Sequence, residues 1–282
     1  VSGQAFLEAK ALWFAYEENR SVLRGISFTI ARGDFVALIG QNGSGKTTLA
    51  KHFNGLLRPT QGKILLDGHD IRDRPIGELA RTVGYVFQNP DQQIFSATVF
   101  DEVAFGPRNL GFDPSQVERL TQEALVLFRL VPFAQSSPAT LSFGLRRKVT
   151  LAAVYSMQTP ILILDEPTAG LDWQNTVTLM ELLSKIHKEG RTILLITHDM
   201  RIVADYVPQS IVLEGGEVTL HDTTRKIFQQ TERLERAKLE PPQVIRLAQR
   251  LEPFGLTKNM LTVNEFCDAF EHLAQENKSA RG

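Results

Sequence analysis

Cysteine is almost missing: Cys267 stands alone among 282 residues, which excludes an intrachain disulfide, and no His or Cys lies at ligand spacing from it, which excludes a zinc cluster. A reducing cytosol fits that usage. Long apolar runs are missing too. The greasiest stretch, 149–164, is interrupted by Ser156, Gln158, Thr159 and Pro160 and falls short of the ~18 apolar residues a spanning helix needs, so the chain is expected to be soluble on its own. Its opening, VSGQAFLEAK, has neither the basic start nor the apolar run of a secretory leader, and the lack of Met there is expected to reflect a trimmed or engineered start. An excess of one charge is also lacking. With 31 basic against 32 acidic residues and a formal charge of -1, no overall field draws the chain to nucleic acid or an acidic membrane surface, although a local basic patch is compatible with it. No internal repeat and no low-complexity tract occurs.

What is present describes an ordinary globular protein, 43% hydrophobic and 22% charged, with room for one large domain and a smaller one. FVALIG (35–40), ILILDE (161–166) and TILLIT (192–197) are short apolar runs that read as buried parallel strands. Between the last two, Val177, Met180, Leu183, Ile186 and His187 recur at helical spacing over 175–188. That alternation predicts an α/β sheet. Residues 5–11 and 25–30 look like antiparallel strands, and KILLDG (63–68) ends at a turn signal, so a small antiparallel β-subdomain is expected beside the main sheet. From about 93 to 155 helical segments separated by GFDP and SSP predict an inserted helical subdomain. A final unit is expected over 221–282: Pro241 and Pro242 open a helix with Val244, Leu247, Ala248 and Leu251 on one face, and Thr262 with Glu265 forms a capping box before Phe266, Phe270 and Leu273.

The chemistry begins after the first buried strand. GQNGSGKTT carries glycine, four residues, then Gly-Lys-Thr, a pattern whose backbone N–H groups and following helix N-terminus cradle phosphates. Gly40, Gln41, Asn42, Gly43, Ser44, Gly45, Lys46, Thr47 and Thr48 are therefore the candidate nucleotide-binding residues, with Lys46 reaching the β- and γ-phosphates and Thr47 on Mg²⁺. A glycine-rich turn alone would not need Lys and Thr at these two places. The second strand ends in Asp165 and Glu166, and paired carboxylates at the tip of a buried strand are expensive unless used. Asp165 is expected to hold Mg²⁺ through water, Glu166 to polarise the attacking water as general base, and His198, delivered by the third strand, to contact the γ-phosphate. A lone His after a strand is more often structural; its neighbours change the odds.

The order GQNGSGKTT, Gln88 in YVFQNP, LSFGLRRKV, ILILDEPTAGLD and ITHD resembles an ABC-type ATPase over roughly residues 5–220. The resemblance implies a P-loop NTPase, RecA-like, core that takes ATP and Mg²⁺ and works as a sandwich of two ATPase subunits, each ATP lying between one subunit's phosphate loop and the other's signature. It implies that Gln88 senses Mg²⁺ and the γ-phosphate and acts in catalysis, that Tyr16 stacks on adenine, and that Ala169 to Asp172 form a loop crossing to the second copy. Phe14 lies near Tyr16, and a core role is a fair competing reading there. FQNPDQQIFSATVFDEVAFGPRNLG, 87–111, is similar to the ATPase component of energy-coupling-factor and cobalt- or nickel-type importers. That likeness implies a groove for a membrane-embedded coupling subunit, with a substrate-binding membrane subunit beyond it, a peripheral place on the cytoplasmic face of the membrane, a vitamin or transition-metal ion as cargo, and no nucleic acid. Asp101 and Glu102 are the candidate groove acids; alternatively Phe95, Val99, Val103 and Phe105 are lobe core and the acids a solvated face. The extension, with its PP-V-RLA segment, would make dimer contacts. The rival reading is a soluble ABC-type ATPase acting on nucleic acid or ribosomes, against which stand the balanced charge, the lack of a long coiled-coil insert or second cassette, and the FQNPD segment. A small-molecule kinase would explain neither LSFGL nor DEPTAGLD.

LSFGLRRKV departs from the family pattern, with Phe143 and Leu145 where Gly and Gln are usual. Ser142 is a natural N-cap, yet Arg146, Arg147 and Lys148 place positive charge in a first turn where the helix dipole disfavours it. An anion is expected opposite: the ATP of the partner subunit, contacted by Ser142, Phe143 and Gly144. The added bulk predicts pairing with a paralogous ATPase and a less active site where this signature completes it.

Overall fold

The computed structural model describes residues 5–17, 20–257 and 260–279. In chain order the elements are β1 (Ala5–Ala15), β2 (Ser21–Ala31), β3 (Phe35–Ile39), α1 (Lys46–Phe53), β4 (Gln61–Leu66), β5 (His69–Asp70), α2 (Ile76–Leu79), β6 (Val83–Val86), α3 (Val99–Asn109), α4 (Pro114–Leu127) and α5 (Phe143–Ser156). They continue with β7 (Ile161–Asp165), α6 (Trp173–Lys188), β8 (Thr192–Ile196), α7 (Met200–Tyr206), β9 (Gln209–Glu214), β10 (Glu217–Thr223), α8 (Thr224–Gln229), α9 (Thr231–Arg236), α10 (Gln243–Leu251) and α11 (Val263–Ser279).

The three apolar runs are β3, β7 and β8, with every residue buried. They lie in a six-stranded sheet of order β10-β9-β3-β8-β7-β6, parallel throughout except for the antiparallel β9–β10 pair. A parallel strand is covered on both faces, so its side chains must alternate between two cores. Phe35, Ala37 and Ile39 enter the core shared with the helices, whereas Val36 and Leu38 enter the core shared with the second sheet and α1. That second sheet, β2-β1-β4-β5, is antiparallel and forms the expected β-subdomain. The two sheets are tied by the β9–β10 turn. Gly215 and Gly216 both have positive φ, 55° and 86°, as a two-residue hairpin turn requires. A Cβ on Gly216 would stand 2.3 Å from the Val22 carbonyl oxygen, so glycine there lets the turn press on β2.

The helices α3, α4 and α5 pack on one another in the stretch between β6 and β7. On α6 the buried face is Thr176, Leu179, Met180, Leu183 and Ile186; Val177 and His187 sit at its margins. Beyond β10, which runs on to Thr223 through the expected boundary at 220–221, Ile227, Phe228 and Leu234 join the helix-side core. The face of α10 is rotated from the expected one: Ile245 and Ala248 are buried while Leu247 is 44% exposed. Val244 and Ile245 reach the main core, and Ala248 and Leu251 belong to a small cluster with Leu256, Met260 and Phe266. Two cores on adjacent sides of one helix, rather than one, turned the face. Half of the capping box forms: Thr262 Oγ1 accepts from Glu265 N at 3.2 Å. The Glu265 carboxylate accepts instead from Leu261 N at 2.6 Å and pairs with Arg225, holding α11 to α8. Among the described residues no helix is long and apolar enough to cross a membrane.

Within α3, Val99 and Val103 are fully buried and Phe95 and Phe105 are 65% and 45% exposed, so the apolar positions divide between core and surface. The two acids divide as well. Asp101 is half-exposed, hydrogen-bonded to Thr98 and paired with Arg108 at 3.1 Å, and these partners hold its carboxyl below the usual range. Glu102 is 3% exposed and accepts from the N–H groups of Phe95 and Ser96 at 3.1 and 2.8 Å. The expectation of Glu102 as an outward groove acid is therefore corrected: it closes the 95–96 loop. Glu102→Ala is expected to cost about 1–3 kcal/mol, because two N–H groups lose their acceptor, whereas Asp101→Ala costs about 1 kcal/mol or less, its ion pair being screened by water. Chemical denaturation of the two variants checks the difference.

Candidate functional site

The sheet ends in a row of polar residues at the carboxyl tips of β3, β7, β8 and β6, where open α/β sheets place their ligands. Beyond β3, Gly40 has room for no side chain, since a Cβ would lie 2.3 Å from the Leu213 carbonyl oxygen. Gly43 and Gly45 take φ of 80° and 103°, and the loop turns into α1 at Lys46. The Lys46 ammonium is buried and donates to the carbonyls of Gly40 and Gln41 at 2.7 and 2.8 Å. Burial pushes its pKa down, against the pull of Glu166 and Asp165. An incoming phosphate can exchange with those carbonyls without moving the helix.

β7 delivers the carboxylates. Asp165 is 1% exposed, and its Oδ2 accepts from the Tyr85 hydroxyl at 3.1 Å. Desolvation raises the Asp165 pKa, opposed by hydrogen bonds from Thr47 and Tyr85 and by Lys46; burial and that same carboxylate push the Tyr85 phenol far up. Among the described residues Asp165 Oδ1 finds no hydrogen-bond partner, an orphaned buried oxygen that a cation would satisfy. With Thr47 and Gln88 lining the same cleft, the donors are all oxygens, which suits a hard ion such as Mg²⁺. Bound there, the ion would supply positive charge to phosphate oxygens. Glu166 is 6% exposed and holds a left-handed backbone, φ 47°, rare for a residue with a Cβ and typical of functional sites. Its Oε1 lies 2.8 Å from His198 Nδ1. Donating the Nδ1 proton to Glu166 keeps the carboxylate oriented and leaves His198 Nε2 facing solvent, as the 64% exposed ring permits.

A cleft of about 420 Å³ joins Val22, Asn42, Gly43, Gly45, Lys46, Thr47, Thr48, Gln88, Asp165 and Glu166. Gly40, Gln41 and His198 line a neighbouring cleft of about 980 Å³, which Lys238–Val244 of the extension also line. Of the two aromatics at the end of β1, Phe14 is core, 8% exposed, and Tyr16 is 61% exposed. Tyr16 lies within 3.2 Å of the Thr48 hydroxyl and is braced edge-on by Phe14, centroids 4.8 Å apart. Tyr16 is thus the ring free to stack on a base.

The 142–144 stretch does not line either cleft. Ser142 caps α5, accepting from Leu145 N at 3.4 Å. The Phe143 ring covers Gly170, where a Cβ would meet it at 3.0 Å. Two of the three cations that follow turn to partners in their own chain rather than to an anion outside it, contrary to the expectation from the sequence. Arg146 pairs with Asp91 at 3.0 Å, and Arg147, fully buried, donates to the carbonyls of Phe87 and Gln88 at 2.9 and 2.5 Å. Asp172 is exposed and caps its own helix, accepting from the backbone and side-chain amides of Asn175, both at 2.8 Å. Tyr85 escaped the sequence reading, and Arg147 is expected there to face an anion, whereas it meets carbonyls of its own chain. For Tyr85 a signal existed, since a phenol within a buried apolar strand needs a partner for its hydroxyl.

Replacing Glu166 with Gln is expected to lower phosphate release at least about 100-fold, with nucleotide affinity kept, because the base is lost and the cradle is not; phosphate release and nucleotide titration measure the two. Lys46→Ala is expected instead to weaken nucleotide binding, since a charged contact to phosphate is lost. The same titration shows it.

The geometry agrees with the chain's relatives. The ABC transporter family model matches residues 23–169. An energy-coupling factor transporter ATP-binding protein of Methanocaldococcus jannaschii is 41% identical over 87% of this chain and 88% of its own length. A longer ABC transporter ATP-binding protein of Caldanaerobacter subterraneus is 40% identical over 93% of this chain, which spans 45% of that relative. Among solved structures, cbiO1 of Clostridium perfringens, part of the ABC transporter complex cbiONQ, matches with TM-score 0.75 and 36% identity over 87% of this chain and 99% of its own. With phosphate loop and paired acids in one cleft and the histidine bonded to the second acid, the chain belongs to the ABC transporter family as an ATP-binding, ATP-hydrolysing subunit.

Proposed function

We propose that this ATPase powers an energy-coupling-factor type importer for a vitamin or a transition-metal ion, docked on the cytoplasmic face of the membrane. The observation that carries the reading is an exposed aromatic pair just past Gln88. Phe95 and Phe105, 65% and 45% exposed, meet edge to face with centroids 4.5 Å apart. Large apolar rings held at a surface mark a contact site, and this one adjoins the loop that lines the nucleotide cleft. A membrane-embedded coupling subunit is the partner placed there, with a substrate-binding membrane subunit beyond it. The likeness to energy-coupling factor and cbiO1 ATPases supports that choice.

In this reading two ATPase subunits close on two ATPs. Tyr16 stacks on adenine, the Gly40–Thr48 loop and Lys46 hold the phosphates, and Thr47, Gln88 and Asp165 hold Mg²⁺. Glu166, oriented by His198, takes the proton of the attacking water, and Ser142 and Gly144 of one subunit cover the γ-phosphate held by the other. That 142–144 stand outside the chain's own clefts supports a site completed by a second subunit. The departure of the signature at Phe143 and Leu145 supports a paralogue as that subunit, with Asp172 near the contact. Isolation from native membranes with mass identification of every subunit tests the assembly: membrane subunits and a second ATPase are expected, whereas ribosomes or nucleic acid in their place would contradict it. Phe95→Glu with Phe105→Glu is expected to abolish recovery of the membrane subunits, at least about 10-fold, by setting charge in an apolar contact. Nucleotide binding by the free ATPase should not change.

A further inference from the structure

We propose that Arg147 is a positioning residue that ties Gln88 at one ATP site to the signature start, 142–145, that completes the other, so that occupancy of one site is passed to the next. The inference rests on the two-subunit reading above and goes beyond it, because it names the link.

Arg147 has no solvent exposure and stands on α5, whose N-cap is Ser142. A buried guanidinium is expected to meet a carboxylate. This one meets two consecutive backbone carbonyls instead, Phe87 O at 2.9 Å and Gln88 O at 2.5 Å, while its Nε finds no partner among the described residues. Helix packing alone would be served as well by an apolar side chain of the same length, without the desolvation of a charge. The planar fork is used for what only it can do, which is to hold two adjacent carbonyls in fixed orientation. Those carbonyls leave β6 at the point where the Gln88 side chain enters the nucleotide cleft. A backbone shift of Gln88 towards bound nucleotide must therefore either carry Arg147 with it or break both bonds.

What Arg147 carries is the start of α5. Its guanidinium carbon lies 5.4 Å from the centre of the Phe143 ring, and that ring rests on Gly170 of the loop leading to Asp172. Arg146, beside it, pairs with Asp91 at 3.0 Å, a second tie between the helix start and the segment after Gln88. The 87–91 segment, the signature and the 170–172 loop are thus joined inside one chain, although the first serves its own ATP and the other two face the partner. Burial lowers the Arg147 pKa, opposed by Asp165 and Glu166, so the same guanidinium also lies within the field of the site carboxylates.

The test is a double-mutant cycle in the assembled ATPase. Arg147→Lys keeps the charge and loses the fork. Alone it is expected to lower kcat by about 10- to 100-fold, the effect of misplacing a catalytic group, with KM for ATP changed less than about 2-fold. Combined with Gln88→Ala it should be no slower than the slower single variant, because both cut the same link. Losses that multiply, or a change confined to KM, would overturn the proposal. Amide hydrogen exchange on the dilute single chain gives a readout without an Arg147 variant: Mg²⁺-ATP should alter protection of peptides covering 141–147 in the wild type and not in Gln88→Ala. No change in the wild type, or the same change in both, would overturn it. Lack of wild-type turnover would instead contradict the ATPase reading itself.

Discussion

Everything at the active end of this molecule depends on keeping an ammonium and two carboxylates out of water at the tips of apolar strands. Lys46, Asp165 and Glu166 are each less than a tenth exposed, and none would be stable there alone. The sheet supplies compensation: carbonyls for Lys46, a phenol for Asp165 and an imidazole for Glu166. Burial raises the Asp165 pKa and lowers that of Lys46, so both charges are held at a cost that a phosphate and a divalent cation would relieve. The orphaned Oδ1 of Asp165 marks where that relief is still owed.

The rest of the architecture sets that cluster against moving parts. β3, β7 and β8 fix phosphate loop, acids and histidine to one sheet edge, while Gln88 leaves from the sheet's last strand, β6, towards the helical subdomain. The subdomain shows one aromatic pair outward, Phe95 with Phe105, and folds its acid Glu102 inward to shape the loop that carries Phe95. A push on that surface and a ligand in the cleft therefore reach the same short segment, 87–102.

Much of this was legible in the sequence. Apolar runs of five or six residues ending in Gly, Asp-Glu or Thr-His gave both the parallel strands and the site, because burial on both faces removes alternation and polar residues then stand out. The side chains that act through backbone were not legible. Nothing in LRRKV distinguishes an arginine that seeks phosphate from one that seeks carbonyls sixty residues away, and Arg147 was read as the former. Glu102 looks like any surface acid until the loop ahead of it turns back over its carboxylate. In α10, attention to Leu247 hid Ile245, since the helix serves two cores and a single apolar stripe does not describe it.

The central claim is that the ATP site is completed by a second subunit through Ser142 and Gly144. Sedimentation of the Glu166→Gln protein, together with any ATPase subunit that co-purifies with it, tests this most directly, because the variant is expected to bind ATP and hold it unhydrolysed. The account predicts that Mg²⁺-ATP doubles the sedimenting mass from that of one 31.6 kDa chain, and that adding Ser142→Arg prevents the shift. A protein that hydrolyses ATP while remaining a single chain at every concentration would contradict it.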